Sequence, residues 1–331
     1  MKVVILNNYL GKNPTKDELD NIVETKAVEK ALKELNFEVF VVPFSFDIRK
    51  NIDRLKKINP DFVFNLVESI EGNDSLQHFA PAILDLLEIP CTGCSSESMY
   101  LSLSKITTKK IFQSNGIKTP KWMPLGKLSK KNIFGKKQII IKHLWEHSSE
   151  DIDYSSVFSA ENKAKLSEAM KKRKNLDNYF AEEYIDGREF NISVIEDSNR
   201  GHVLSPAEMT FVDYPKEKVK IVNYKAKWDE ESFESKHTIR KFDFEKRDKK
   251  LILLLKKISK DVWDIFELKG YARVDFRVDK KGVPYVLEVN TNPCISPDSG
   301  FVAACAKEGI SFKEVISKII ESSCKKAIAK N

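Results

Sequence analysis

The chain has 331 residues, room for two or three compact units, and its 41% hydrophobic and 32% charged composition is that of an ordinary globular protein. The net charge of +7 comes from 56 basic and 49 acidic residues mixed along the chain, as in Lys16-Asp17-Glu18. That mixture argues against a nucleic-acid surface and suits a small anionic ligand. No stretch reaches the roughly 18 to 20 apolar residues of a membrane span, and the first residues carry no secretory signal. Five scattered cysteines argue against a disulfide framework, so a cytoplasmic protein is expected. Cys91 and Cys94 form a C-x-x-C inside a Pro90/Gly93 turn, without the second pair that a zinc ribbon needs.

Residues 3–6 read as a short apolar strand. Thr15 and Glu18 have capping-box spacing, and Leu19, Ile22, Val23, Ala27, Ala31, Leu32 and Leu35 follow at helical intervals, predicting one apolar face. Strands over 39–43 and 62–66 and a helix over 80–87 complete a βαβ rhythm. This predicts an α/β N-terminal domain, residues 1–100, with a doubly wound parallel sheet. A helix from residue 103 then leads to Gly116 and Pro120, and the rhythm changes. Further on come a strand over 138–142, a charged helix over 160–174, and strands over 179–185 and 189–195 around Asp186-Gly187. Leu251, Leu254, Leu255, Ile258, Val262, Ile265 and Phe266 mark one face of a long helix, and a last helix covers 312–329. The later part of the chain reads as α+β.

The stretch 271–293, YARVDFRVDKKGVPYVLEVNTNP, is the most informative. Alternation puts Ala272, Val274, Phe276 and Val278 on one face of a strand and Arg273 and Asp275 on the other. Asp279-Lys280-Lys281-Gly282 makes a hairpin turn. On the return strand Tyr285, Leu287 and Val289 are expected to share the apolar face, with Glu288 and Asn290 opposite. Two carboxylates and an amide oxygen suit Mg²⁺, a hard ion that binds oxygen, and the neighbouring arginine suits phosphoryl groups or an oxyanion. Alternation alone also fits a hairpin with one solvated face.

The residues themselves separate these readings. D-x-F followed by L-E-V-N-T-x-P closely resembles the C-terminal motif of the ATP-grasp superfamily, specifically its D-alanine–D-alanine ligase branch, and the likeness runs in order over residues 60 to 302. It includes Gly72-Asn73-Asp74-Ser75-Leu76-Gln77, Ser104-Lys105 with Thr119-Pro120, Ala181-Glu182-Glu183-Tyr184-Ile185-Asp186-Gly187 and Tyr224-Lys225-Ala226-Lys227-Trp228. The resemblance implies a two-lobed ATP-grasp domain made of a central subdomain, 101–184, and a C-terminal subdomain, 185–331, with ATP between them. Lys105, Lys142 and Lys227 would meet the phosphates. The hinge residues Glu182, Glu183 and Ile185, together with Leu287, would hold the base, and Glu189 the ribose. Asp275, Glu288 and Asn290 would bind Mg²⁺ (or Mn²⁺), Arg273 would steady the oxyanion, and Ser299 would take the carboxylate of the second amino acid. A homodimer is a further expectation from the family.

The departures fall on the substrate pockets and the lid. Asn7-Asn8-Tyr9-Leu10-Gly11 replaces a Gly-Gly turn, and neither Glu18 nor Glu24 is a clear match for the family's ammonium-binding glutamate. Asn65-Leu66-Val67-Glu68 replaces a His-Gly pair, and the loop 145–153 keeps Ser148 but lacks glycine. Trp228 stands for a tyrosine, and Cys294 for the glycine after the last motif proline. Asn65, Glu68, Ser148 and Trp228 are therefore candidates for altered substrate selection, Ser148 also for catalysis. The expected activity is ATP-dependent activation of a carboxylic acid as an acyl phosphate and its transfer to an amine. An ATP-grasp kinase, a thiol-acceptor ligase or a non-catalytic nucleotide-binding module are the alternatives.

Overall fold

Val3 and Ile5 on one side of the first strand, and Val4 and Leu6 on the other, enter two separate cores. A strand buried this way belongs to a sheet covered on both faces. The computed structural model describes residues 1–128, 132–146, 149 and 152–328. Its first part runs β1 (Lys2–Asn8), α1 (Lys16–Glu34), β2 (Glu38–Phe44), α2 (Ile48–Ile58), β3 (Phe62–Asn65) and α3 (Phe79–Leu86). The strands lie in the order β2-β1-β3, all parallel. Leu55 of α2 and Ala80, Ile83 and Leu84 of α3 cover one face, and Val28 and Leu32 of α1 cover the other. This is the doubly wound domain expected.

Helix α1 departs from its expected apolar face. The Thr15 amide donates to Glu18 Oε2 at 2.9 Å, as the start pattern requires. Yet Leu19 and Val23 are 49% and 52% exposed, while Asn21, Glu24 and Thr25 are buried. Hydrogen bonds explain the inversion. Asn21 accepts from the Asn8 amide at 3.0 Å and donates to the Leu66 carbonyl at 2.8 Å. Glu24 accepts from the Ile295 amide at 2.6 Å. The first half of α1 thus sits on a polar floor that hydrophobic periodicity does not register.

After α4 (Ser96–Leu103) and α5 (Lys105–Ser114) come β4 (Trp122–Pro124), α6 (Leu125–Leu128), β5 (Gln138–His143), β6 (Val157–Ser159), α7 (Lys163–Lys171) and β7 (Tyr179–Glu183). The four strands form an antiparallel sheet, β4-β7-β5-β6. The next strands are β8 (Gly187–Asp197), β9 (Arg200–Val203) and β10 (Ala207–Phe211). Then follow α8 (Tyr224–Trp228), α9 (Phe233–His237), β11 (Thr238–Lys241), α10 (Lys249–Ile265), β12 (Tyr271–Asp279) and β13 (Pro284–Asn290). They build a second sheet, β11-β10-β8-β12-β13, with β9 on β8. Although only residues 184–186 separate them, β7 and β8 belong to different sheets, so that short segment is a hinge. Gly187 follows it because a Cβ there would stand 1.9 Å from the Val278 carbonyl oxygen.

Leu255, Val262 and Trp263 of α10 and Phe112 of α5 pack on the second sheet with Phe190, Val274 and Phe276. Leu254, expected on the same helix face, is 42% exposed. The chain ends with α11 (Gly300–Lys307) and α12 (Phe312–Ile328). Phe301, Val315 and Ile319 from these helices join Ile195 in the core under the first domain's sheet, so the two ends of the chain share one core. Among the described residues no helix is long and apolar enough to cross a membrane.

Candidate active site

The hairpin β12–β13 carries a defect that decides where its side chains point. Arg273 pairs with Asn290 and Asp275 with Glu288, but the register then slips and Phe276 faces Val286. Leu287 is the extra residue of this β-bulge, which bends the strand and re-aims its side chains. Val286 and Val289 enter the core, whereas Leu287, Glu288 and Asn290 all line a cleft. Strict alternation had placed Leu287 with Tyr285 and Val289; the bulge turns it to the cleft instead.

The cleft has a volume of about 730 Å³ and lies where the three sheets meet. Ile140 of β5, Ile185 of the hinge, Met209 of β10 and Leu287 give it an apolar end. The hinge is held rigidly there. Amides of Glu183 and Tyr184 donate to the Lys121 and Gln138 carbonyls at 2.8 and 2.9 Å, and the Ile185 carbonyl accepts from Arg277 Nε at 2.9 Å. Glu189 pairs with Arg277 Nη1 at 2.9 Å, and Glu183, at the rim, with Lys137 at 2.6 Å.

Cations and carboxylates alternate along the middle. Lys105 meets Glu288 at 3.2 Å and donates to the Glu146 carbonyl. Glu182, 1% exposed, lies between Lys142 at 2.6 Å and Lys109 at 2.7 Å. Burial pushes the Glu182 carboxyl up, but the two lysines bring it below its ordinary value. Arg273 grips both oxygens of Asp275 at 2.8 Å, and Asn191 Nδ2 donates to Asp275 Oδ1 at 2.7 Å. Asn290 Oδ1 accepts from the Asn292 amide at 3.0 Å. Lys227 is pulled down to about 8 by burial and by the nearby Arg273.

The N-terminal domain supplies an acidic wall. Asp17, Glu18, Asp20, Glu68 and Asp74 line it, and Glu24 lies behind. Burial raises Glu24 to about 8, and burial together with Glu24 and Asp20 raises Glu68 well above the usual carboxylate range. Cys294 donates its thiol hydrogen to Asp20 at 3.0 Å, and burial holds that thiol protonated, as suits a donor rather than a nucleophile.

Most residues singled out in the sequence meet here: Lys105, Lys142, Glu182, Glu183, Ile185, Glu189, Lys227, Trp228, Arg273, Asp275, Leu287, Glu288, Asn290, Ser299 and Glu68 all line the cleft. Two do not join them. Asn65 is buried off the cleft wall, where its Oδ1 accepts from the Val67 amide at 3.2 Å and shapes the turn after β3. Ser148 lies outside the described residues. Sequence reading missed Arg277, although it is the next residue after Arg273 and Asp275 on the same strand face. Lys109, wholly buried, stands in the family-like stretch after Ser104-Lys105 but was given no role of its own, and Arg240, on β11, was missed because nothing near it in sequence marks it out.

Comparison with known proteins agrees with this geometry. A family model described as the C-terminus of D-ala D-ala ligase matches residues 111–321. The D-alanine–D-alanine ligase of Aquifex aeolicus is 31% identical over 97% of this chain and 100% of its own length. That of Carboxydothermus hydrogenoformans is 31% identical over 89% and 90%. The crystal structure of the Bacillus anthracis D-alanine–D-alanine ligase complexed with ATP shares the fold, with a TM-score of 0.74 and 20% identity over 100% of this chain and 99% of that one. Sheets and cleft together define an ATP-grasp enzyme, an ATP-dependent ligase that joins a carboxylate to an amine. More narrowly, the chain belongs to the D-alanine–D-alanine ligase family.

Proposed function

We propose that this enzyme condenses two small α-amino acids, activating the carboxylate of the first with ATP and taking the amine of the second, and that it works in the cytoplasm as a homodimer. D-alanine, the substrate in the relatives' names, is the first pair to assay. One observation carries the reading: a single cleft brings Lys105, Lys142, Lys227, Arg273, Asp275 and Glu288 together opposite an acidic wall. Five free thiols, with no disulfide among the described residues, accord with the location.

Asp275, Glu288 and Asn290 fit Mg²⁺ or Mn²⁺ by donor chemistry. Asp275 and Glu288 face each other across one hairpin, and Asn290, opposite Arg273, adds an amide oxygen beside them. An ion held there would offset charge on the ATP phosphates. Apolar residues of the hinge end, Ile185 and Leu287, hold the base, and Glu189 takes the ribose. Lys105, Lys142 and Lys227 neutralise the triphosphate while a carboxylate oxygen of the first amino acid attacks the γ-phosphorus and ADP leaves. The amine then attacks the acyl carbon, phosphate departs, and the amine gives up a proton. Arg273 stabilises the oxyanion of that step. Asp20 and Glu68 face the ammonium of the first amino acid, and Trp228 and Ser299 bound the second.

The test is ADP release with paired amino acids and mass detection of products. A dipeptide with stoichiometric ADP and phosphate is expected. A stable phosphorylated product, or ATP binding without ADP release for every pair, refutes the proposal.

A further inference from the structure

Helix α10 leaves two apolar side chains outside the core it helps to build. Leu255, Val262 and Trp263 pack inward on the second sheet, whereas Leu253 and Leu254 are 60% and 42% exposed. They are the only consecutive pair among the exposed large apolar side chains of the described residues. On a helix surface the neighbours of a residue stand three and four positions away. For Leu253 these are Lys249, Lys250, Lys256 and Lys257, and Leu254 shares Lys250 and Lys257.

Residues 245–260, EKRDKKLILLLKKISK, hold seven basic and two acidic side chains, a local net charge of +5. Part of that charge is answered nearby: Arg247 pairs with Glu245, Lys257 with Asp261 and Lys260 with Asp264. Lys256 turns back to the Val203 carbonyl at 3.3 Å. Lys246, Lys249 and Lys250 are exposed and have no carboxylate partner among the described residues. The unanswered charge thus sits beside the two leucines.

Charge and shape together select what this face can meet. A second copy would bring the same cations and be repelled. A nucleic acid would satisfy the lysines and leave the leucines without an apolar partner. An acidic protein would need a recess cut to two leucines, whereas acyl chains take them in any arrangement. An anionic bilayer answers both features at once.

We propose that the outer face of α10 docks this enzyme on an anionic bilayer surface. Leu253 and Leu254 enter the boundary between headgroups and acyl chains, and Lys246, Lys249 and Lys250 meet lipid phosphates. Two leucines bury fewer methylenes than one fatty-acyl chain, so the docking is reversible. It leaves the reaction unhindered: α10 covers the sheet face of Val274 and Phe276, while Arg273 and Asp275 line the cleft on the other. A cytoplasmic enzyme meets such a surface at the inner leaflet.

The test is flotation of the intact protein at low salt with vesicles of phosphatidylcholine, alone or mixed with phosphatidylglycerol. Wild type should bind the mixed vesicles, ignore the neutral ones and be released by salt. The triple variant Lys246→Gln, Lys249→Gln, Lys250→Gln should bind about 100-fold more weakly, and the double variant Leu253→Ser, Leu254→Ser about 10-fold more weakly. Both should bind ATP as wild type does, which verifies their folding; if one does not fold, the other decides. No binding by wild type, or equal binding to neutral vesicles, overturns the proposal. Wild-type affinity in the leucine variant does so too, because it leaves only a diffuse electrostatic contact. Leucine-dependent binding to poly-L-glutamate as tight as that to the vesicles would give the face to an acidic protein and equally overturn it. None of these results depends on which substrates the cleft takes.

Discussion

Replacing Glu182 by glutamine tests whether the middle of the cleft is an electrostatic framework as well as a binding surface. Glu182 is 1% exposed and Lys109 wholly buried, with Lys142 on the other oxygen. Glutamine keeps the shape and removes the charge, leaving two ammonium groups facing each other out of water. Removing one partner from a buried ion pair costs about 3 to 5 kcal/mol. With an unfolding entropy of about 0.7 kcal/mol/K for a chain of this length, that corresponds to a fall in Tm of about 4 to 7 °C. Differential scanning calorimetry reads it directly. Because the folded Glu182 carboxyl titrates below its ordinary value, the contribution is complete above the unfolded value and is lost as pH falls through the folded one. The wild-type advantage over Glu182→Gln should therefore hold at neutral pH and shrink in acid. A variant melting within about 1 °C of wild type at pH 7 would refute the reasoning.

Glu24, raised to about 8, keeps a proton that the unfolded chain gives up near 4.5, so stability falls as pH climbs between those values, by at most about 1.4 kcal/mol per pH unit. Glu24→Gln, which preserves an acceptor for the Ile295 amide, should flatten that slope in melts taken from pH 5 to 8. Lys227 is charged below about 8 and neutral above, so ATP affinity should weaken as pH rises through 8, and Lys227→Arg should remove that limb in a binding titration. Tyr154 donates to Glu234 at 2.8 Å, and Lys218 meets the same carboxylate at 3.0 Å while lying 4.1 Å from the Phe233 ring centroid. Tyr154→Phe loosens this clamp between the turn before β6 and α9 by about 1 kcal/mol, which should raise phosphate release relative to coupled product. Asp275→Asn should cut turnover by at least about 100-fold while the circular dichroism spectrum stays native.

The parallel domain was legible because its strands are short apolar runs separated by helices with clear starts. The cleft was legible because its cations and oxygen donors occur in a family's order. What escaped did so for identifiable reasons. Leu19 and Val23 looked like core because periodicity counts apolar residues, whereas the buried face of α1 is set by hydrogen bonds of Asn21 and Glu24 to distant loops. Leu287 was assigned to the wrong face because a bulge adds one residue to a period of two. Asn65 resembled a pocket residue by position, but its amide oxygen serves the adjacent turn. Arg240 gave no sign at all, since its place opposite Gly300 depends on two segments 60 residues apart.

The pairing of Arg273 with Asp275 has a consequence for the order of events. With both Asp275 oxygens gripped by the guanidinium and one shared with Asn191, the protein carries its own stand-in for a counter-ion. A divalent ion held by Asp275, as proposed, would have to compete with Arg273 for the same carboxylate, so loading would be an exchange. The arginine released by that exchange would be the group proposed to steady the oxyanion. Supplying the ion and freeing the arginine would then be a single act.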